Sequence, residues 1–127
     1  MRTEISKTYR IEAAHRLPRV AQEHKCYRLH GHSFQITLRI QGDIDPKFDW
    51  IVDFGEIDQA WKPIHDAIDH RYLNEIPGLE NPTSEILAEW ILRRIRLSRG
   101  RVVAVSIAET CTASCTVYAN AIDDDYR

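Results

Sequence analysis

The sequence predicts one α+β domain, a four-stranded antiparallel sheet with two helices on one face, in the order β-β-α-α-β-β. Three observations carry this expectation. Two stretches near the N-terminus alternate apolar and polar residues with a period of two, the mark of half-buried strands. Two central stretches repeat apolar residues every three or four positions behind helix-capping residues. The chain has 127 residues, the length of one domain on a scale of roughly 100 to 200 residues each. The domain is expected over residues 1–120, and 121–127, with Asp123, Asp124 and Asp125, reads as an acidic, disordered tail.

In the first strand Ile5, Tyr9, Ile11 and Ala13 take the odd positions, and Glu4, Ser6, Thr8, Arg10 and Glu12 lie between them. The second, about 32–40, puts Phe34, Ile36, Leu38 and Ile40 on one face, Ser33, Gln35, Thr37 and Arg39 on the other, and stops at Gly42-Asp43. About 14 residues connect the two strands, where a hairpin loop usually takes roughly 2 to 5, so this loop is a place to look for function. Asp53, with Glu56 three residues on, starts a helix whose apolar face is Ile57, Trp61, Ile64 and Ile68. Pro63 inside it is expected to kink or strain it. The second helix is capped near Thr83, buries Ile86, Leu87, Trp90, Ile91 and Ile95, and is expected to end at Gly100. Strands over about 102–108 and 115–119 complete the order.

Apolar residues make up 43% of the chain, slightly under the roughly 45 to 50% of typical globular domains, which leaves room for stabilisation by association. The 17 Lys and Arg against 19 Asp and Glu give a net charge of −2, so the basic field that nucleic-acid binding requires is missing. No apolar run approaches the roughly 20 residues that span a bilayer, and no apolar leader follows Met1, so neither a membrane nor export is expected. Cys26, Cys111 and Cys115 are an odd, sparse set for a disulfide framework, and a reducing cytoplasm is the simpler setting.

The strand registers show where the chemistry gathers. His15 continues the apolar face of the first strand, and His30 and His32 precede Phe34 on that of the second. Residues two apart on a strand project to the same side, so His30-Gly31-His32 presents two imidazoles together. Antiparallel pairing sets His15 opposite them, and three histidines with a fourth position open are the pattern of a catalytic zinc site. Three histidines under a loop, and a closed structural site with Cys26 as fourth ligand, are the competing readings. Cys26 lies beside His24, Lys25 and Arg28, a setting that favours thiolate. Glu109 extends the inward stripe of Val103, Val105 and Ile107, so its carboxylate must find donors or turn to solvent. Asp69-His70 ends the first helix and is uninformative alone.

These residues sit in a recognisable set: Glu12-Ala13-Ala14-His15-Arg16-Leu17-Pro18, Cys26-Tyr27-Arg28-Leu29-His30-Gly31-His32-Ser33, Asp69-His70, Asn81-Pro82-Thr83-Ser84-Glu85 and Glu109-Thr110-Cys111-Thr112. From about Tyr9 to Tyr118 the chain resembles the 6-pyruvoyl-tetrahydropterin synthase superfamily, and the three residues between Cys26 and His30 resemble its carboxy-forming branch. The resemblance implies the tunnelling fold, with a barrel formed by oligomerisation. It implies Zn2+ on His15, His30 and His32, Cys26 as proton acceptor, Asp69 and His70 as an acid-base relay, and Glu109 with Thr110 holding the pterin. The implied reaction turns 7,8-dihydroneopterin triphosphate into 6-carboxy-5,6,7,8-tetrahydropterin, releasing acetaldehyde and triphosphate, in queuosine precursor (preQ0) synthesis. The implied assembly is a homohexamer, a dimer of trimers. The pyruvoyl-forming reaction and a non-catalytic zinc-stabilised binding module are the alternatives. Arg16, Lys25 and Arg28 are the cations nearest the motifs, and Arg71 has no assigned role.

Overall fold

The computed structural model describes residues 2–120, so the acidic tail at 121–127 lies outside the described residues. Strand β1 (Thr3–His15) and strand β2 (His30–Gly42) pair antiparallel along their whole length, from Thr3 opposite Gly42 to His15 opposite His30. Helices α1 (Phe54–Ile68) and α2 (Ser84–Arg94) follow, then strands β3 (Arg101–Ala108) and β4 (Ser114–Tyr118). The sheet order is β1-β2-β3-β4, antiparallel at each step. The expected class and element order are those observed, with strand bounds within two residues of those expected.

One face of the sheet makes the core. Ile11, Phe34, Ile36, Leu38, Ile40, Val105 and Ile107 are buried against Ile57, Trp61, Ile68, Leu87 and Ile91 of the helices. Burial on one face alone fixes the register, because a slip of one residue would turn every apolar side chain to water. The opposite face is polar: Glu4 accepts from Arg39 and Gln41, Thr8 bonds Thr37, and Ser106 bonds Thr116.

Helix α1 begins at Asp53, whose carboxylate accepts from Gly55 N, and α2 begins at Thr83, whose hydroxyl accepts from Ile86 N. Against expectation α1 runs uninterrupted through Pro63. Pro63 and Gln59, whose carbonyl loses its partner, are both exposed, so water can take the bond. Ile86 is also corrected: it is 37% exposed, and Ala88 and Leu92 are buried in α2 beside Leu87, Trp90 and Ile91. Nor does Gly100 end α2, which stops at Arg94; Gly100, at φ 77°, makes the turn into β3. A bulge between Arg39 and Ile40 sets Val102 opposite Ile40 and leaves Val103 with no partner on β2, so Val103 drops out of the inward stripe. No described helix is long and apolar enough to cross a membrane.

Candidate metal centre and its surroundings

His15, His30 and His32 converge where the apolar faces of β1 and β2 end, with one ligand nitrogen from each within 4.8 Å of the others. Phe34 closes the cluster on the core side, its ring edge-to-face with His15 and His32 at 5.4 and 5.5 Å. His15 is 1% exposed, and its Nδ1 lies 2.8 Å from the carbonyl of Pro82. A carbonyl can only accept, so Nδ1 carries the proton and Nε2 keeps its lone pair. That Nε2 is buried with no hydrogen-bond partner among the described residues. His30 repeats the device, with Nδ1 donating to the carbonyl of Arg28 at 2.7 Å. Burial holds His15 below the ordinary imidazole value, with the bond to Pro82 opposing, so the neutral ligand form is favoured. Backbone carbonyls that fix the tautomer and leave the other nitrogen bare are what a metal ligand needs. The residues therefore fit a metal ion.

The expected fourth ligand of a closed site is not there. Cys26, on a short 3-10 turn (Lys25–Tyr27), is outside the ligand cluster, and its hydrogen bonds among the described residues are through its backbone, to Leu17 N and His24 Nδ1. The loop is fastened to the end of β1 by Arg16, whose Nε donates to Tyr27 O at 3.0 Å while its guanidinium stacks on the Tyr27 ring at 4.5 Å. Three nitrogens with Cys26 outside them form an open site.

Glu109 is held rather than turned to solvent. Its Oε1 accepts from Ser84 Oγ at 2.7 Å, and its Oε2 is 3.8 Å from His32 Nε2. The segment Asn81–Glu85 thus does three jobs: Pro82 orients His15, Thr83 caps α2 and Ser84 anchors Glu109. Thr110 follows Glu109 in the turn between β3 and β4. Its hydroxyl accepts from Ala113 N at 3.1 Å and shapes the β3–β4 turn. It also lines a groove with Arg10, Ser33, Gln35, Glu109 and Cys111.

Asp69 and His70 reach the sheet by its edge. Glu12 N donates to Asp69 Oδ1 at 3.0 Å, and His70 N donates to Glu12 O at 2.6 Å. Asp69 Oδ2 takes His70 Nδ1 at 2.9 Å and lies 3.4 Å from His65 Nε2. The bond from Glu12 N, reinforced by His70 and opposed by burial, holds Asp69 below the usual carboxylate range. His65 is a partner that the sequence reading missed, although a histidine four residues before an aspartate shares its helix face. The His70 ring is largely exposed and lines a groove of about 530 Å³ with Glu12, Gly31, His32, Ser33 and Arg71. Among the described residues no hydrogen bond or ion pair joins Cys26 to His70 or Glu109.

A family model described as 6-pyruvoyl tetrahydropterin synthase matches residues 4–120. The 6-carboxy-5,6,7,8-tetrahydropterin synthase of Synechocystis sp. is 35% identical over 120 residues, covering 90% of this chain and 92% of the relative. The dihydroneopterin monophosphate aldolase of Pyrococcus furiosus is 38% identical over 68 residues, covering 54% of this chain and 56% of that one. Among solved structures, Caenorhabditis elegans 6-pyruvoyl tetrahydropterin synthase superposes with a TM-score of 0.86 at 21% identity, covering 94% of this chain and 97% of that chain. The last likeness is one of fold.

Proposed function

The chain belongs to the 6-pyruvoyl tetrahydropterin synthase family, and from that premise we propose that it is a zinc-dependent 6-carboxy-5,6,7,8-tetrahydropterin synthase. Its substrates are 7,8-dihydroneopterin triphosphate and one water, and its products besides the carboxypterin are acetaldehyde and triphosphate. The observation that carries the reading is the pairing of an open three-histidine cluster with a carboxylate, Glu109, whose Oε2 is 3.8 Å from His32. A pterin offers an amino group and a ring N–H side by side, which one carboxylate accepts in bidentate fashion. His15, His30 and His32 would hold the zinc, which would supply a Lewis acid for the substrate's side-chain hydroxyls and so make the adjacent C–H more acidic. Cys26 thiolate takes that proton, His70 backed by Asp69 moves a proton as triphosphate leaves, and Glu109 keeps the ring still.

The 35% identity to a named carboxy-forming enzyme across nearly the full length of both chains supports this product over the pyruvoyl one. A cytoplasmic enzyme acting in queuosine precursor synthesis is part of the same reading, and Cys26, Cys111 and Cys115 are all free thiols, as a reducing compartment requires. The test is incubation of the zinc-loaded protein with 7,8-dihydroneopterin triphosphate and mass analysis of the products. The expected pair is 6-carboxytetrahydropterin and trapped acetaldehyde. A pyruvoyl product, or a 6-hydroxymethyl product from aldol-type cleavage, refutes the assignment.

The assembly in this reading is a hexamer of two trimers. The sheet has two outer strands, β1 and β4, and natural proteins pair or cover such edges. Three sheets joined edge to edge close a barrel of about twelve strands with the helices outside and the polar sheet face lining its bore. No hydrogen bond or ion pair joins Cys26 to His70 among the described residues, which suits a site completed between subunits, so a mixture of Cys26→Ala and His70→Ala chains should regain part of the activity. Light scattering tests the assembly: an active species near 14.8 kDa refutes it, and a mass about six times larger supports it.

A further inference from the structure

The groove beside the histidines contains a cation that the reaction above leaves unused. Arg71 lines it together with His32, His70 and Gly31. The backbone there is fixed on both sides. His70 N donates to Glu12 O, Ala14 N donates to Arg71 O at 3.0 Å, and Ala14 and Tyr72 form a parallel bridge. To bring the chain from the end of α1 onto this edge, His70 adopts φ 57°, a left-handed conformation that L side chains disfavour. Arg71 is thus anchored through its main chain, while its exposed guanidinium engages no partner among the described residues. Its neighbours differ. Arg16 is committed to Tyr27, and Arg10 is held by Glu12 at 3.1 Å and Ser33 at 2.9 Å.

We propose that Arg71 is the anion subsite of this groove and receives the phosphate chain of the substrate next to the relay histidine. The proposal rests on the function argued above and adds the residue that holds the leaving group. The substrate's phosphate chain starts on the carbon next to the hydroxyl-bearing pair. Its anchor must therefore lie within a few ångströms of the histidine ligands, on the side away from Glu109. Across the end of the sheet, Glu109 follows β3, His30 and His32 are on β2, His15 is on β1, and Arg71 sits outside β1. The order is pterin carboxylate, metal ligands, cation. Of the residues lining the groove Arg71 alone carries a permanent positive charge, and a guanidinium fork matches phosphate oxygens in a way that a single ammonium does not. Glu12 in the same groove is already satisfied by Ser33 and Arg10.

The test is calorimetric titration of the full-length, zinc-loaded protein with inorganic tripolyphosphate, with zinc content measured before and after to exclude stripping. Arg71→Ala should bind tripolyphosphate about tenfold or more weakly, as expected for a lost charge-assisted bond. Arg71→Lys should fall between the two, and affinity for the carboxypterin product should be unchanged in both. With substrate, Arg71→Ala should raise KM by a similar factor. Equal tripolyphosphate affinity in wild type and Arg71→Ala overturns the proposal. So does a loss that appears in Lys25→Ala or Arg28→Ala instead, since the anion would then lie on the loop, and so does a wild type that binds no tripolyphosphate. Turnover by the wild type judges the parent reading separately, because a wild type that makes the carboxypterin while Arg71→Ala is unaffected fails this inference alone.

Discussion

The apolar stripe shared by β1 and β2 ends in two different ways. At one end Ile40 and Val102 lie opposite each other and pack with Ile51, all 2% exposed or less. A Cβ on Gly100 would come within 2.8 Å of Ile51 and 3.0 Å of Ile40, so the turn beside them admits no side chain. At the other end the same stripe finishes in His15, His30 and His32, with a buried nitrogen that has no hydrogen-bond partner among the described residues. Burial stabilises the first end directly. At the second end burial costs about 1 to 3 kcal/mol for the unpaired atom, unless a bound ion takes the lone pair. One pleated surface thus separates stability from chemistry, and Phe34 stands at the boundary.

The largest effect should come from breaking the histidine end. His30→Ala or His32→Ala should lose bound zinc and more than about a thousandfold of turnover, equivalent to about 4 kcal/mol of transition-state stabilisation. Cys26→Ala should lose turnover and keep zinc, since the thiol stands outside the ligand cluster. Metal analysis of the purified variants decides it, and stoichiometric zinc loss in Cys26→Ala would show that the thiol is a ligand after all.

Breaking the other end should do the reverse. Ile40→Ala leaves a cavity among fully buried side chains and should lower unfolding free energy by about 2 to 5 kcal/mol. At temperatures where the variant is folded, its zinc stoichiometry and KM should match the wild type. A denaturant midpoint that falls together with zinc affinity would mean that the two ends are coupled, and the contrast drawn above would fail.

How far each end was readable in the sequence follows from the same contrast. A period of two with one buried face sets the register, so the positions of Ile5 to His15 against His30 to Ile40 could be read residue by residue, including the three histidines. Val103 could not, because the bulge that displaces it carries no glycine or proline to announce it. Ile86 fits a helical stripe as well as Ala88 or Leu92 does, and only the packed sheet decides between them. The attachment of His70 and Arg71 to β1 is two backbone hydrogen bonds beside one isolated bridge, Ala14 with Tyr72, too short to have a period. The roles of Pro82 and Ser84 act through a carbonyl and a hydroxyl far from the strands in sequence, which spacing does not reveal.

A smaller effect sharpens the picture at the pterin side of the histidine end. Glu109→Gln keeps shape but replaces one acceptor oxygen by a donor. Affinity for the carboxypterin should fall by about 1.5 to 3 kcal/mol, the range for a hydrogen bond to a charged group. Zinc content should not change. Fluorescence titration with the product measures it, and an unchanged dissociation constant would remove Glu109 from the pterin site.

The smallest effect concerns how the histidine end responds to acid. Asp69 ties the end of α1 to Glu12 of β1, and that backbone bond, with His70 and His65 adding to it against the burial term, lowers its carboxyl from the ordinary value of 3.8. A carboxyl depressed in the folded state contributes stability that is fully present above the unfolded value and is lost as pH falls through the folded one. In Asp69→Asn the amide oxygen can still accept from Glu12 N, but the charge is gone. The variant should therefore be less stable at pH 7 by about 1 kcal/mol. Its stability should also change less than that of the wild type as pH drops below about 4. Ile40→Ala leaves every carboxylate and its partners in place, so it should lose stability with acid in parallel with the wild type. Urea unfolding of the three proteins from pH 7 to pH 3 separates the cases. If Asp69→Asn and the wild type lose stability in parallel over that range, the carboxylate is not the acid-sensitive tie between α1 and β1.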